Sequence, residues 1–156
     1  MKKLTMTVAV AVGLWAFGTA AGFAASPHMG TWTLDEAKSD IPAGMAKNTT
    51  VVYTEEGDQW KITTEGKDKS GKPSKTTWVG KIDGKPYGVE GSAVFDQIAY
   101  TKKNERTNEL KTTMDGKVIA TGDITVAADG KTRVVTVMMT GEDGKKITSK
   151  AAYNKE

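Results

Sequence analysis

The chain has 156 residues, no cysteine and a single histidine, with 22 basic against 19 acidic side chains. That composition excludes disulfides, thiol nucleophiles and sulfur-held metals, and leaves His28 as at most one lone metal ligand. The charges nearly cancel and are intermixed, which gives no electrostatic case for nucleic acid or an anionic membrane surface.

Residues 1–24 read as a signal peptide. Lys2 and Lys3 form a basic start, Leu4 to Phe17 carries no charge, and Gly22-Phe23-Ala24 presents small residues at a peptidase site. Cleavage is expected after Ala24, or after Ala25. The apolar run is short for a membrane span, and no cysteine follows it for lipid attachment. The expectation is a periplasmic or secreted protein with no stable membrane anchor after cleavage. Loss of Lys2 and Lys3 leaves 20 basic against 19 acidic residues, a net charge of +1.

Residues 25–29, which include Ser26-Pro27-His28, are expected to be a flexible lead, and residues 30–156 a single domain. Gly30 to Asp35 reads as a first strand with Trp32 and Leu34 on one face. Glu36 to Lys47 contains Pro42 and Gly44 and is expected to interrupt the sheet, with room for a short helical turn. From Thr49 the strand signals become regular. Thr49 to Thr54 is rich in β-branched residues, and Gln59 to Thr64 places Trp60 and Ile62 together. Ser74 to Ile82 carries Trp78. Lys85 to Gly91, with Pro86, Gly88 and Gly91, suits a short edge strand or an extended loop. Gln97 to Lys103 brings Ile98 and Tyr100 to one face.

The last third is the most regular. Asp115-Gly116, Asp129-Gly130 and Asp143-Gly144 separate runs in which apolar and polar residues alternate. Asp-Gly between such runs marks hairpins with primed turns, because glycine takes positive φ without strain. Leu110, Thr112 and Met114 should share a face. So should Val118, Ala120, Ile124 and Val126, then Val135, Val137 and Met139, then Ile147, Ala151 and Tyr153. The pattern predicts an all-β protein with one buried face. Sequential short turns favour a closed antiparallel up-and-down meander β-barrel of about eight to ten strands, with a two-sheet β-sandwich as the alternative.

Gly30-Thr31-Trp32 at the start of a meander ending in Tyr153 resembles the calycins, the lipocalins and fatty-acid-binding proteins. The resemblance implies that Gly30 and Trp32 close one barrel end beneath a basic residue, for which Arg133 and Lys150 are the candidates. Fatty-acid-binding proteins end in Arg-x-Tyr; Tyr153 matches the Tyr, but Ala151 stands in the Arg position. The helical lid of that family is missing unless Glu36 to Lys47 forms a reduced version. The stretch GTWTLDEAKS, with the later DGKPYGVEG, is also similar to a group of small exported bacterial proteins, and that likeness implies no activity.

No catalytic set can be assembled from these residues. The carboxylates fall mostly at turns, where Asp bonds the nearby backbone, and no calcium-loop spacing occurs. The expectation is a protein that is not an enzyme and needs no metal or cofactor. Trp60, Trp78, Tyr100, Met114, Met139 and Tyr153 should point inward and line a ligand site, with Gly30, Trp32 and Arg133 closing the barrel. The functional expectation is an exported lipocalin-like barrel binding a small apolar molecule. The alternative is a filled barrel that engages a cell-envelope protein through the outward rows Lys61, Thr63, Thr77, Lys81, Lys111 and Thr113.

Overall fold

The computed structural model describes residues 25–156. Ten strands run in order: β1 (Gly30–Asp40), β2 (Lys47–Glu56), β3 (Gln59–Lys67), β4 (Pro73–Gly80), β5 (Asp83–Glu90), β6 (Gln97–Asn104), β7 (Thr107–Met114), β8 (Lys117–Val126), β9 (Thr132–Thr140) and β10 (Lys146–Lys155). Each pairs antiparallel with its sequence neighbour, and β1 also pairs with β10, so the sheet closes. No helix occurs among the described residues. The meander barrel is therefore the fold, and the sandwich is not formed. The signal-peptide reading concerns residues 1–24, which lie outside the described residues.

Closure follows from sidedness. Trp32 stands opposite Val51 on one side and Lys155 on the other, so both edges of β1 are used. Directly opposed residues share a face, and register carries that face round the ring through Tyr53, Ile62, Trp78 and Val89. It continues through Ile98, Tyr100, Leu110 and Ile124 to Arg133, Val135, Ala151 and Tyr153. The buried apolar members form one cluster, with Trp60, Val135 and Val137 packed against it. A closed ring leaves no unpaired strand edge.

The turns obey their residues, though not all in the expected way. Asp115 at φ 51° and Gly116 at φ 75° make the two-residue primed turn between β7 and β8. Asp129 and Asp143 do not take positive φ; only Gly130 and Gly144 do. There the aspartate side chains accept the Lys131 and Lys145 backbone N–H groups at 2.9 and 3.0 Å, and the glycine N–H groups close wider loops. The Asx bond holds the chain in a turn without a left-handed aspartate.

Four local expectations are corrected. The interruption at Glu36 to Lys47 shrinks to residues 41–46, because β1 runs on to Asp40 across an irregularity between Asp35 and Asp40. Ser39 Oγ bridges it, donating to the Asp35 carbonyl at 2.7 Å and accepting the Ala152 N–H at 2.9 Å. The segment with Pro86 is a full wall strand, β5, rather than an edge or a loop. Val118 does not share a face with Ala120, because a register shift between Thr112 and Thr113 turns it outward to 49% exposure. Finally, residues 26–29 are not a loose lead. The Met29 N–H donates to the Ser26 carbonyl at 3.0 Å, and His28 is 1% exposed.

The seam between β4 and β5 is held differently from the rest. Only Thr77–Glu90 and Trp78–Val89 are in register there. Beyond them the Tyr87 ring lies over Gly80, where a Cβ would come within 2.5 Å of Tyr87 and 2.7 Å of Trp78. Trp78 in turn reaches past β5, donating its indole N–H to the Ile98 carbonyl of β6 at 3.0 Å. Side chains do here what a backbone ladder does elsewhere.

Candidate functional site

The interior has two unlike ends. The closed end lies where β1 begins and β10 finishes, beside the loops at 57–58, 81–82, 105–106 and 127–131. There Trp32, Tyr53 and Tyr153 surround Arg133, whose guanidinium carbon lies 4.7, 4.8 and 4.9 Å from their ring centres. Arg133 is 2% exposed, and neither its Nε nor its Nη1 finds a hydrogen-bond acceptor among the described residues. Its charge is instead spread over three aromatic faces, which attract a cation through the ring quadrupole. Lys155 Nζ lies over the same indole at 5.2 Å. Lys155, two residues beyond Tyr153 on the same face, takes the second basic position; Lys150 is exposed and opposite Thr136 on the outer face.

Below this cage sits the turn at Ser26–Met29. Its His28 carbonyl accepts the Trp32 indole N–H at 2.9 Å, and its Pro27 carbonyl accepts from Lys155 Nζ at 3.4 Å. The His28 ring lies 6.0 Å from that of Trp60, with both ring nitrogens unpartnered. Burial lowers the His28 pKa to about 4, and Arg133, Lys155 and Lys102 add to the effect, so the imidazole is neutral at pH 7. Nothing in the sequence marks His28 as buried; Pro27 signals only a turn.

Above the cage the aromatic layer is dry. Trp78 packs edge-on against Tyr100 with ring centres 4.8 Å apart and against Tyr87 at 5.8 Å. Burial holds the Tyr100 hydroxyl well above its ordinary pKa and pushes Tyr153 up to about 12. The Tyr153 hydroxyl is committed to the Asn48 carbonyl at 2.9 Å.

Toward the other end, flanked by the loops at 41–46, 68–72, 91–96, 115–116 and 141–145, the inward positions change character. Leu34, Thr64, Thr76, Ile98, Val135, Val137, Met139 and Ile147 are only partly buried, although each faces the interior by register. Leu34, Ile98, Val135 and Val137 pack against the core cluster from this side without being fully covered by it. The barrel is thus plugged at one end and less completely buried at the other. Two surface clefts on the wall, of about 200 and 400 Å³, are lined by Val118 to Thr121 with Met138 to Thr140 and Lys146, and by Thr49, Glu65, Gly66 and Pro73 to Lys75.

The six residues expected to line a ligand site are not brought together. Trp78, Tyr100 and Tyr153 are core. Trp60 stands beside His28 at the closed end. Met114 and Met139 lie near the mouth and are partly buried. Alternation places Leu34, Val135, Thr64 and Thr76 on the inward face but carries no sign of how deep along the barrel each lies. Among the described residues no group of three or more His, Cys, Asp or Glu could hold a metal ion.

No family model matches the chain, and no curated protein matches it. A solved structure described as "Structure of a redesigned beta barrel, mFAP1, bound to DFHBI" is similar over 83% of this chain and 95% of that one. Identity is 14% and the TM-score 0.41, a likeness too distant to inform the site. The geometry itself defines the class: a closed ten-stranded antiparallel barrel, plugged at one end.

Proposed function

We propose that the protein is an exported, calycin-like, non-catalytic barrel that binds one small apolar molecule in the open half of its lumen. The observation that carries this reading is the gradient of burial along a single inward face. Arg133, Trp32 and Trp78 are sealed, whereas Leu34, Ile98, Val135 and Val137 on the same face are only partly buried. Partly wetted aliphatic side chains within a wall gain by being covered, at about 25 cal/mol per Å² of apolar area. The hydroxyls of Thr64, Thr76 and Ser149 offer the few polar contacts that fix an orientation. The inward side chains Leu34, Ile98, Val135 and Val137 are uncharged, with Lys117, opposite Met114, at the exposed rim, and among the described residues no nucleophile stands beside a base, which supports binding rather than chemistry.

The test is calorimetric titration of the protein with a panel of lipophiles, such as long-chain alcohols, polyene alcohols and fused-ring aromatics. Saturable one-to-one binding with a negative heat-capacity change is expected for at least one member. No saturable heat across the panel would remove the reading.

An alternative reading, docking to a cell-envelope protein, is favoured by one observation. Val118 and Met138, 49% and 48% exposed, both line the cleft on β8 and β9. Under that reading Met138→Glu abolishes capture of a specific envelope protein; unchanged capture would dismiss it.

A further inference from the structure

His28 is a buried, neutral base with no partner, held among cations. From β9 it faces Arg133, from β10 Lys155 and from β6 Lys102, while β3 contributes the Trp60 ring. Both imidazole nitrogens are enclosed and unbonded, so the second proton that makes the ring a cation finds no acceptor there. The turn that carries it is anchored by two hydrogen bonds that leave the imidazole out, Trp32 Nε1 to the His28 carbonyl and Lys155 Nζ to the Pro27 carbonyl. It has a shallow footing in the sequence, four residues ahead of Trp32, with no strand partner of its own.

We propose that the turn at Ser26–Met29 is an acid-released plug: protonation of His28 adds a further cation to a dry, positively charged barrel end, expels the turn, and opens the floor beneath Trp32 and Arg133. Neutral imidazole seals the end; imidazolium is stable only in water, and no strand ladder holds residues 26–29 against moving there. The folded pKa lies below the ordinary value of 6.5, near 4. The sealed state is therefore fully favoured above about pH 6.5 and loses that advantage as the pH falls toward 4. The rest of the barrel, joined by backbone ladders and at the β4–β5 seam by Trp78 and Tyr87, stays closed over the same range.

Because His28 is the only histidine, its imidazole signal in a proton NMR titration of the full chain is unambiguous. The indole protons of Trp32 and Trp78 supply the second readout: the first bonds to the plug, the second to Ile98. As pH falls from about 6.5 to 4, Trp32 indole exchange, corrected for the intrinsic rate, should accelerate about tenfold or more, and Trp78 should not follow. His28→Phe loses no hydrogen bond and cannot titrate, so its Trp32 exchange should stay flat. His28→Arg, charged at every pH, should expose Trp32 already at neutral pH. An imidazole that titrates near 6.5, equal acceleration at both indoles, or acid opening that survives in His28→Phe would each overturn the proposal. If His28→Phe does not fold, the comparison of Trp32 with Trp78 in the unaltered chain still decides.

Discussion

The guanidinium of Arg133, on β9, lies 4.7 Å from the centre of the Trp32 indole, on β1, two strands away round the barrel. Between them stands β10, whose Tyr153 offers a second ring to the same cation at 4.9 Å. The pair therefore ties three strands across the point where the sheet closes on itself. Removing the side chain costs both the cation–π contacts and the volume of the stem. Arg133→Ala is expected to lose about 3 kcal/mol in urea denaturation. Arg133→Met keeps the stem without the buried charge and should lose about 1 kcal/mol. No loss in Arg133→Met would mean that the charge on its three rings contributes nothing, and equal losses that the stem contributes nothing.

The β4–β5 seam gives a contrast of neighbours. Gly80→Ala forces the new Cβ into the Tyr87 and Trp78 rings, whereas at Gly88, on the facing strand, nothing lies within 4 Å. Overpacking of this kind costs about 1–3 kcal/mol, and Gly88→Ala should fall within about 0.5 kcal/mol of the parent. Thermal melts of the two variants check the difference.

At the β7–β8 turn the cost is one of backbone alone. Gly116 has φ 75° with open space around it. Gly116→Ala should therefore destabilise by about 1 kcal/mol without altering the near-ultraviolet circular dichroism of the core.

Tyr153, with the buried Tyr100, limits stability at alkaline pH. Its pKa is pushed up from 10 to about 12 by burial, against the pull of Arg133. A raised folded-state pKa means its stabilisation is complete below pH 10 and is lost as pH climbs through 12, on the order of 2 kcal/mol in all. Tyr153→Phe should flatten that part of the pH–stability curve, while losing about 1 kcal/mol at neutral pH with the bond to Asn48. Urea midpoints from pH 9 to 12 provide the check.

The architecture was legible because alternation survives almost every local accident. Leu110, Ile124, Val135 and Tyr153 face inward as their spacing implies. What escaped were features that alternation does not encode. One extra residue at the Thr112–Thr113 shift turns Val118 out, and a serine bridging Asp35 and Ala152 carries β1 through a segment that Pro42 seemed to end sooner. The site was less legible. Parity says which residues face the centre but not how far along the axis they lie, so core rings such as Trp78 and Tyr100 were grouped with mouth residues such as Met139. His28 was hidden altogether, since the side chains that surround it, Trp60 and Arg133 among them, come from strands distant in the chain.

Val137 and Met138, consecutive on β9, point to opposite faces of the wall and together give the most direct measurement. A neutral environment-sensitive probe, N-phenyl-1-naphthylamine, is titrated into the parent, Val137→Trp and Met138→Trp. Saturable enhancement in the parent, about tenfold weaker in Val137→Trp and unchanged in Met138→Trp, is the result expected of a ligand-accepting lumen. Enhancement that survives in Val137→Trp but disappears in Met138→Trp, or that never saturates, would contradict it.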